Sequence, residues 1–325
     1  MAADAPHRRG YHPPVHDDAA ARAILAATGL DGARLTPIGV GFASDAWLVD
    51  PGDRRAVLRV ANGTTGFAVT YAMEHAVMAR LMAAGAHVPT PIAGNWDLGD
   101  WDGPPFSLTT HLPGVPLPVG QHQRAAAPLA AFLRTMHALG IDGYGGLVVR
   151  EGILRGEAAE MEAGLLAWCE RPLWPLGGAR LADHPALAAR PDLADRIEGT
   201  APPVRAALRR GPAVPVHSDL HEENILDEGG SLGIIDFGES LVAPAAWEFA
   251  SLAYFLGWPF ADRTLAAYLE DAPAPDLGRW RADASAIALC FGVHRWRQDR
   301  ELGVDEEAHD EAFLEATLAR VTGRE

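Results

Sequence analysis

Lysine is absent from this chain. All 27 basic residues of its 325 are arginine. Any step that needs a fixed cation on phosphate or carboxylate must therefore use a guanidinium, a planar fork rather than a point charge. Cysteine is almost as scarce. Cys169 and Cys290 stand far apart with no CxxC spacing, which argues against a disulfide framework and a zinc knuckle and suits a reducing compartment. No apolar run approaches the roughly 18 residues that span a bilayer. The opening MAADAPHRRGYHPPVHDD has no apolar core of a secretory signal, so the expectation is a cytoplasmic protein with no membrane partner. Positive charge is in deficit as well. The formal net charge is −16, which disfavours nucleic acid as a partner and would draw cationic small molecules.

What is present is a core. The hydrophobic share is 48%, and the length is comfortable for two lobes. Residues 1–17 carry Pro and three His in no metal-ligand spacing and are expected to be a flexible tail. A helix is predicted from Asp17 or Asp18 to Ala27. TPIGVGFASDAWLVD then reads as strand, glycine turn, strand, and RRAVLRVAN as a third strand. A helical pattern covers 67–84 and stops at Gly85, and VPTPIAGNWDL and PPFSLTTHL follow as two more strands. LPGVPLP at 112–118 is the best lobe boundary, giving a first lobe of 18–112 and a second of 113–325. Beyond it helices are predicted at 121–139, 157–169, 201–210, 245–256, 260–270, 279–292 and 305–321. A hairpin region at 214–237 interrupts them. The fold class is thus α+β, a small β-rich lobe with one prominent helix before a larger, mainly helical one. There are no internal repeats.

The stretch 216–236, VHSDLHEENILDEGGSLGIID, places acids, an amide and two histidines between apolar strands. Burying such groups without partners costs several kcal/mol, so a bound charge is expected to neutralise them. NILD and LGIID flank the turn EGGS, which predicts a hairpin with Asn224 and Asp236 side by side at its open end. An amide oxygen and a carboxylate are the kind of supply magnesium takes, with phosphate and water completing the shell. Asp219, five residues before Asn224, could accept the proton of a hydroxyl that attacks a phosphoryl group. His217 could brace the loop. A rival reading takes His217, Asp219 and His221 as ligands of a hydrolytic metal, but leaves Asn224 and Asp236 unexplained.

HSDLHEENIL followed by IIDFG resembles the catalytic loop and metal-binding segment of the aminoglycoside phosphotransferase family, relatives of the protein kinases. The resemblance covers about residues 35–300 and implies the protein-kinase-like two-lobe fold. It implies Asp219 as the catalytic aspartate, with His217 as the first residue of the loop, and Asn224 and Asp236 as magnesium ligands. Such an enzyme also needs a cover for the phosphates and a strand-borne cation paired to a helix acid. GVGFASDAW, with Gly39, Gly41 and Ser44, could supply the cover through backbone amides. The matching strand, AVLRV, offers Arg59 where lysine is usual, as in the branches that act on hygromycin and macrolides. Glu74 on the following helix is its expected partner. FSLTTHLPG resembles the family's hinge, where Thr110, His111 and Leu112 would hold the base. The family commonly continues GDPAYDLA; here the chain reads LVAPAAWEFASLAYF, with Glu248 where an aspartate is usual.

The implied activity is transfer of the γ-phosphate of ATP or GTP, with Mg2+, to a hydroxyl of an aminoglycoside or hygromycin-like antibiotic, conferring resistance. Alternative acceptors are a macrolide, homoserine, a choline-like amino alcohol or a sugar. A different class of reading is a nucleotide-binding relative without catalysis. For a cationic acceptor, Glu222, Glu223, Glu239 and Glu248 are the candidate contacts, with Asp299 and Glu301 behind them; RWRQDRE at 295–301 is expected to border the pocket. The protein is expected as a monomer or homodimer.

Overall fold

The structure, a computed structural model, describes residues 18–40, 43–63, 69–118, 122–270, 272 and 276–324. The N-terminal tail and Gly41 lie outside them. The chain divides into two compact units. The first is Met1–Val115 with Leu226–Gly238, and the second is Pro116–Ile225 with Glu239–Glu325. The segment 226–238 thus clusters with the first unit, although it follows more than a hundred residues of the second.

The first unit is built on strands β1 (Arg34–Val40), β2 (Ser44–Asp50), β3 (Ala56–Ala61), β4 (Pro91–Gly94) and β5 (Phe106–Thr110). They form one antiparallel sheet in the order β1-β2-β3-β5-β4. Side chains alternate across a strand. In β3 this sends Ala56, Leu58 and Val60 to one face, where they meet Trp47 and Val49 of β2 and Ala21, Ile24 and Leu25 of α1 (Asp18–Ala27). The same alternation turns Arg59 to the opposite face. There lies α2 (Tyr71–Ala83), which buries Tyr71, Met73, Glu74, His75, Val77 and Met78. Its register is pinned by His75 Nε2, 2.8 Å from Ser107 Oγ. Ser107 is the cross-strand partner of Arg59, so the residue before His75 reaches Arg59.

The chain leaves the first unit through β6 (Val115–Pro116) and re-enters it through β10 (Ile225–Asp227), which pairs with β11 (Leu232–Ile234). The predicted turn joins them: Gly229 N donates to Asp227 Oδ1 at 2.8 Å, and Gly229 takes a left-handed φ of 82°. Asn224 is not on the hairpin strand as expected. It ends a one-turn 3-10 helix, Glu222–Asn224.

The second unit holds α3 (His122–His137), α4 (Met161–Cys169), α5 (Pro191–Glu198), α6 (Ala201–Leu208), α7 (Ala246–Leu256), α8 (Trp258–Tyr268), α9 (Leu277–Leu302) and α10 (Glu307–Thr322). A four-stranded antiparallel sheet, β8-β7-β12-β9, accompanies them, built from β7 (Tyr144–Arg150), β8 (Ile153–Ala158), β9 (Ala213–Val216) and β12 (Leu241–Pro244). The sequence reading missed β7, β8, β12 and α5. In β7, Gly145 sits so close to α4 that a Cβ would lie 2.2 Å from the Gly164 carbonyl, so glycines that look like strand breakers are there to admit a helix. Helix α9 runs ten residues past its predicted end, through the charged RWRQDRE, and stops at Gly303 with φ 69°.

Candidate active site

Each unit carries one cluster of the residues singled out from sequence. In the first, Arg59 Nη1 donates to Glu74 Oε2 at 2.7 Å, and Nη2 lies 3.5 Å from Asp236 Oδ1. Glu74 is buried on α2, and the guanidinium also sits over the Tyr71 ring, 5.1 Å from its centroid. Burial works against the Arg59 charge, but Glu74 and Asp236 together raise its pKa above the usual arginine value, so the cation is permanent. Burial pushes the Glu74 carboxyl up, against the pull of Arg59. Asp236 follows β11 in a left-handed conformation, φ 62°, with its side chain 46% exposed. Left-handed backbone at a non-glycine residue is strained and concentrates at functional positions.

Along the edge of the same unit, the Thr110 amide donates to the Thr90 carbonyl at 2.9 Å and the His111 amide to the Arg55 carbonyl at 3.0 Å. Both are committed to the fold. The Leu112 amide donates to no backbone carbonyl among the described residues. Ser44 opens β2 opposite Ala61. Gly41 lies outside the described residues.

In the second unit, β9 delivers the chain into His217, Ser218 and Asp219. Ser218 is left-handed, φ 68°. Three contacts hold it there. Glu248 accepts from two successive amides, His217 N at 2.6 Å and Ser218 N at 3.2 Å, and Trp247 Nε1 donates to Ser218 Oγ at 3.0 Å. His217 is fully buried, and its Nδ1 accepts from the Asp219 amide at 3.4 Å. Asn224 Nδ2 donates to the Asp219 carbonyl at 2.8 Å and faces Asp219 Oδ2 at 3.3 Å. His221 caps the 3-10 turn by accepting from Glu223 N at 3.3 Å, and its Nε2 is 3.6 Å from Asp219 Oδ2. The loop therefore fixes one edge of the Asp219 carboxylate and leaves that side chain partly exposed.

Glu248 is the correction to the expected substrate contacts. It is fully buried and its carboxylate is committed to backbone amides, so it shapes the loop and does not face an acceptor. Glu223 is exposed, and Glu222 and Glu239 are half-buried. Glu301 pairs with Arg171, and Asp299 accepts from the Tyr254 hydroxyl at 3.2 Å. Among the described residues no group of three His, Cys, Asp or Glu is arranged to hold a metal, and the Nδ1 atoms of His217 and His221 each accept from a backbone amide. Sequence reasoning missed the bracing roles of Trp247 and Glu248. The available signal was a glutamate inside an apolar helix, AWEFASLAYF, where an acid must have buried donors.

A sequence model of the phosphotransferase enzyme family (APH) matches residues 34–282, well over half of the chain. No curated protein sequence matches it. Among solved structures, the chain is similar to a thermostable mutant of aminoglycoside phosphotransferase APH(4)-Ia in ternary complex with AMP-PNP and hygromycin B, with 17% identity, 88% of this chain and 93% of that one covered, and a TM-score of 0.63. It is similar to a putative fructosamine-3-kinase from Thermobifida fusca, with 19% identity, 94% and 99% covered, and a TM-score of 0.63. It is also similar to the GDP complex of aminoglycoside 2'-phosphotransferase-IIIa, with 16% identity, 88% and 93% covered, and a TM-score of 0.57. At these identities the likeness is one of fold. It is the kinase-like α+β fold, with a small antiparallel-sheet lobe and a mainly helical one.

Proposed function

The chain belongs to the phosphotransferase enzyme family and is a phosphotransferase acting on a hydroxyl acceptor, and we propose that it moves the γ-phosphoryl group of ATP or GTP onto a small, sugar-like polyhydroxyl molecule. The observation that carries this reading is the braced Asp219 loop, with one carboxylate edge fixed by Asn224 and the side chain partly exposed. In this reading Asp219 accepts the hydroxyl proton as that oxygen attacks phosphorus. His217 and Glu248 position the loop and touch neither reactant. Arg59, held by Glu74, supplies fixed positive charge to the nucleotide phosphates. The Leu112 amide, with the Thr110 and His111 carbonyls, takes the base, and Ser44, at the start of β2, helps to cover the phosphates. Nucleotide binding is further supported by the AMP-PNP and GDP complexes of the structural neighbours.

Magnesium fits the donors present. Asp236 offers a half-exposed carboxylate, and Asn224, with its NH2 committed to Asp219, offers its amide oxygen. Both are hard oxygen donors, and few protein ligands are the usual supply for this ion. When bound, it would offset charge on the phosphate oxygens.

A second reading, an aminoglycoside or hygromycin-like antibiotic as acceptor with resistance as the consequence, is favoured by the net charge of −16 and by the acids Glu222, Glu223 and Glu239. The test is nucleotide consumption by the full chain over sugars, sugar acids, amino alcohols, macrolides, hygromycin B and other aminoglycosides, with the product identified by phosphorus NMR. A phosphate ester on any of these supports the transferase. Nucleotide hydrolysis to free phosphate with every acceptor would contradict it.

A further inference from the structure

Arg295, on α9, lies against two aromatic rings and has a buried Nε without an acceptor. Its guanidinium carbon lies 5.8 Å from the ring centroid of Tyr254 and 5.3 Å from that of Phe255. Its Nε is buried with no hydrogen-bond partner, and no ion pair joins it to any described residue. Arg320 is also stacked on an aromatic ring, that of Trp258 at 4.2 Å, but it pairs with Asp262 at 3.2 Å. Arg134 donates to the Ala267 carbonyl at 2.7 Å.

The platform under Arg295 is fixed. The Tyr254 hydroxyl lies 2.6 Å from Asp310 Oδ1 and 3.2 Å from Asp299 Oδ2, so that ring cannot swing away without breaking two buried contacts. The platform also borders the Asp219 loop. The Phe255 ring that carries Arg295 packs on the His221 imidazole, with centroids 5.7 Å apart, and His221 Nε2 is 3.6 Å from Asp219 Oδ2. Burial opposes the Arg295 charge, yet the nearby Tyr254, Asp219, Asp299 and Glu239 raise its pKa above the ordinary arginine value.

An arginine kept only to balance those acids would touch one of them, because the Coulomb gain that offsets desolvation is largest at contact. This one instead lies over two rings, and no protein acceptor meets its guanidinium among the described residues. A guanidinium so placed matches a carboxylate, which takes two parallel N–H donors. We propose that Arg295 binds a carboxylate of the acceptor, so that the hydroxyl handed to Asp219 belongs to a small hydroxy acid of the sugar-acid kind. The inference rests on the acceptor-kinase reading of Asp219. It separates the acceptor from the polycationic antibiotics, whose ammonium groups this guanidinium would repel.

The test pairs D-glucuronate with glucose, D-gluconate with sorbitol and D-glycerate with glycerol. Binding to the full chain is measured by calorimetry with MgADP present, and turnover is followed with MgATP by phosphorus NMR. At least one acid is expected to bind wild type about 10- to 100-fold tighter than its neutral partner, the range of a charge-assisted bidentate pair. Arg295→Ala should erase that preference at unchanged MgADP affinity, and Arg295→Lys should keep part of it. If no acid binds better than its partner, or if Arg295→Ala keeps the preference, the inference is overturned. Phosphorylation of neutral or amino acceptors alone also overturns it and leaves the kinase reading intact. If acids bind through Arg295 but Asp219→Asn consumes ATP like wild type, the kinase reading falls and the carboxylate site stands.

Discussion

Arg59 and Arg295 are both partly buried and both lie over tyrosine rings, but one is saturated and the other is not. Arg59 meets Glu74 at 2.7 Å and Asp236 at 3.5 Å, whereas Arg295 meets only rings. The acids differ in the same way. Glu74 is held by a guanidinium across 15 residues of sequence, and Glu248 by two backbone amides 31 and 30 residues away. Glu74 and Glu248 position other groups through their pairings, Arg59 is itself held in place by its pairing, and the buried Arg295 Nε has no protein acceptor. The comparison can be broken at each of these four residues.

The largest effect is expected at Glu248. Glu248→Ala leaves two buried amides without an acceptor and releases the left-handed Ser218, which should lower stability by about 3–5 kcal/mol. The loss is read from the denaturant midpoint, and turnover of the surviving fold should fall with it. A stability within 1 kcal/mol of wild type, to order of magnitude, would mean that the loop holds itself. Arg59 comes next. Arg59→Ala should cut kcat/KM for ATP by about 10²- to 10³-fold, as loss of a fixed positive donor to the transferring group does. Arg59→Lys should restore part of it, because charge survives and the fork does not. Glu74→Gln should cause a smaller loss of the same kind by freeing Arg59. Unaltered ATP kinetics in Arg59→Ala would shift this role to Arg54 or Arg55.

The strand register that aims Arg59 was legible in the sequence. β2 and β3 alternate clearly, and the PGD turn between them is a strong signal. The motif residues His217, Asp219, Asn224 and Asp236 were legible for a different reason, since polar groups that costly are rarely found between apolar strands without a task. The hairpin β7–β8 was hidden because GYGGLVV reads as a loop when the helix that needs those glycines is not in view. β12, LVAP, is too short and too uniformly buried to show a period. Glu248 was read as a ligand contact because sequence gives charge but not burial. Arg295 lies in a charge-rich run expected to border the pocket, but sequence does not single it out; its two ring contacts and unpartnered buried Nε do.

The smallest effect sharpens the comparison through pH. Burial lowers the imidazole pKa of His75 to about 4, of His184 to about 4 and of His294 to about 3. His184 shows why: its Nδ1 accepts from the amides of Ala186 and Leu187 while Nε2 lies 2.9 Å from the Val293 carbonyl, an arrangement that needs the neutral ring. Unfolded, each imidazole takes its proton near 6.5. Between that value and the folded one, the unfolded chain binds more protons, so stability falls as pH falls from about 6.5 towards 4. Burial raises the Asp310 carboxyl to about 7 and acts in the opposite sense over the same window, so the histidine share is read by difference in denaturant midpoints: wild type should lose more stability than His184→Gln between pH 7.5 and 4.5. The same slope in His184→Gln as in wild type would show that this ring is not held neutral by the fold.

The account turns on Asp219 as the group that accepts the acceptor's proton, and Asp219→Asn separates that role from nucleotide binding. Asparagine keeps the shape of the side chain and its place against Asn224 but cannot take a proton. Nucleotide affinity by calorimetry and turnover on an identified acceptor are measured on one preparation. The account predicts unchanged affinity with turnover reduced on the order of 10²- to 10⁴-fold. Unchanged affinity with unchanged turnover would contradict it.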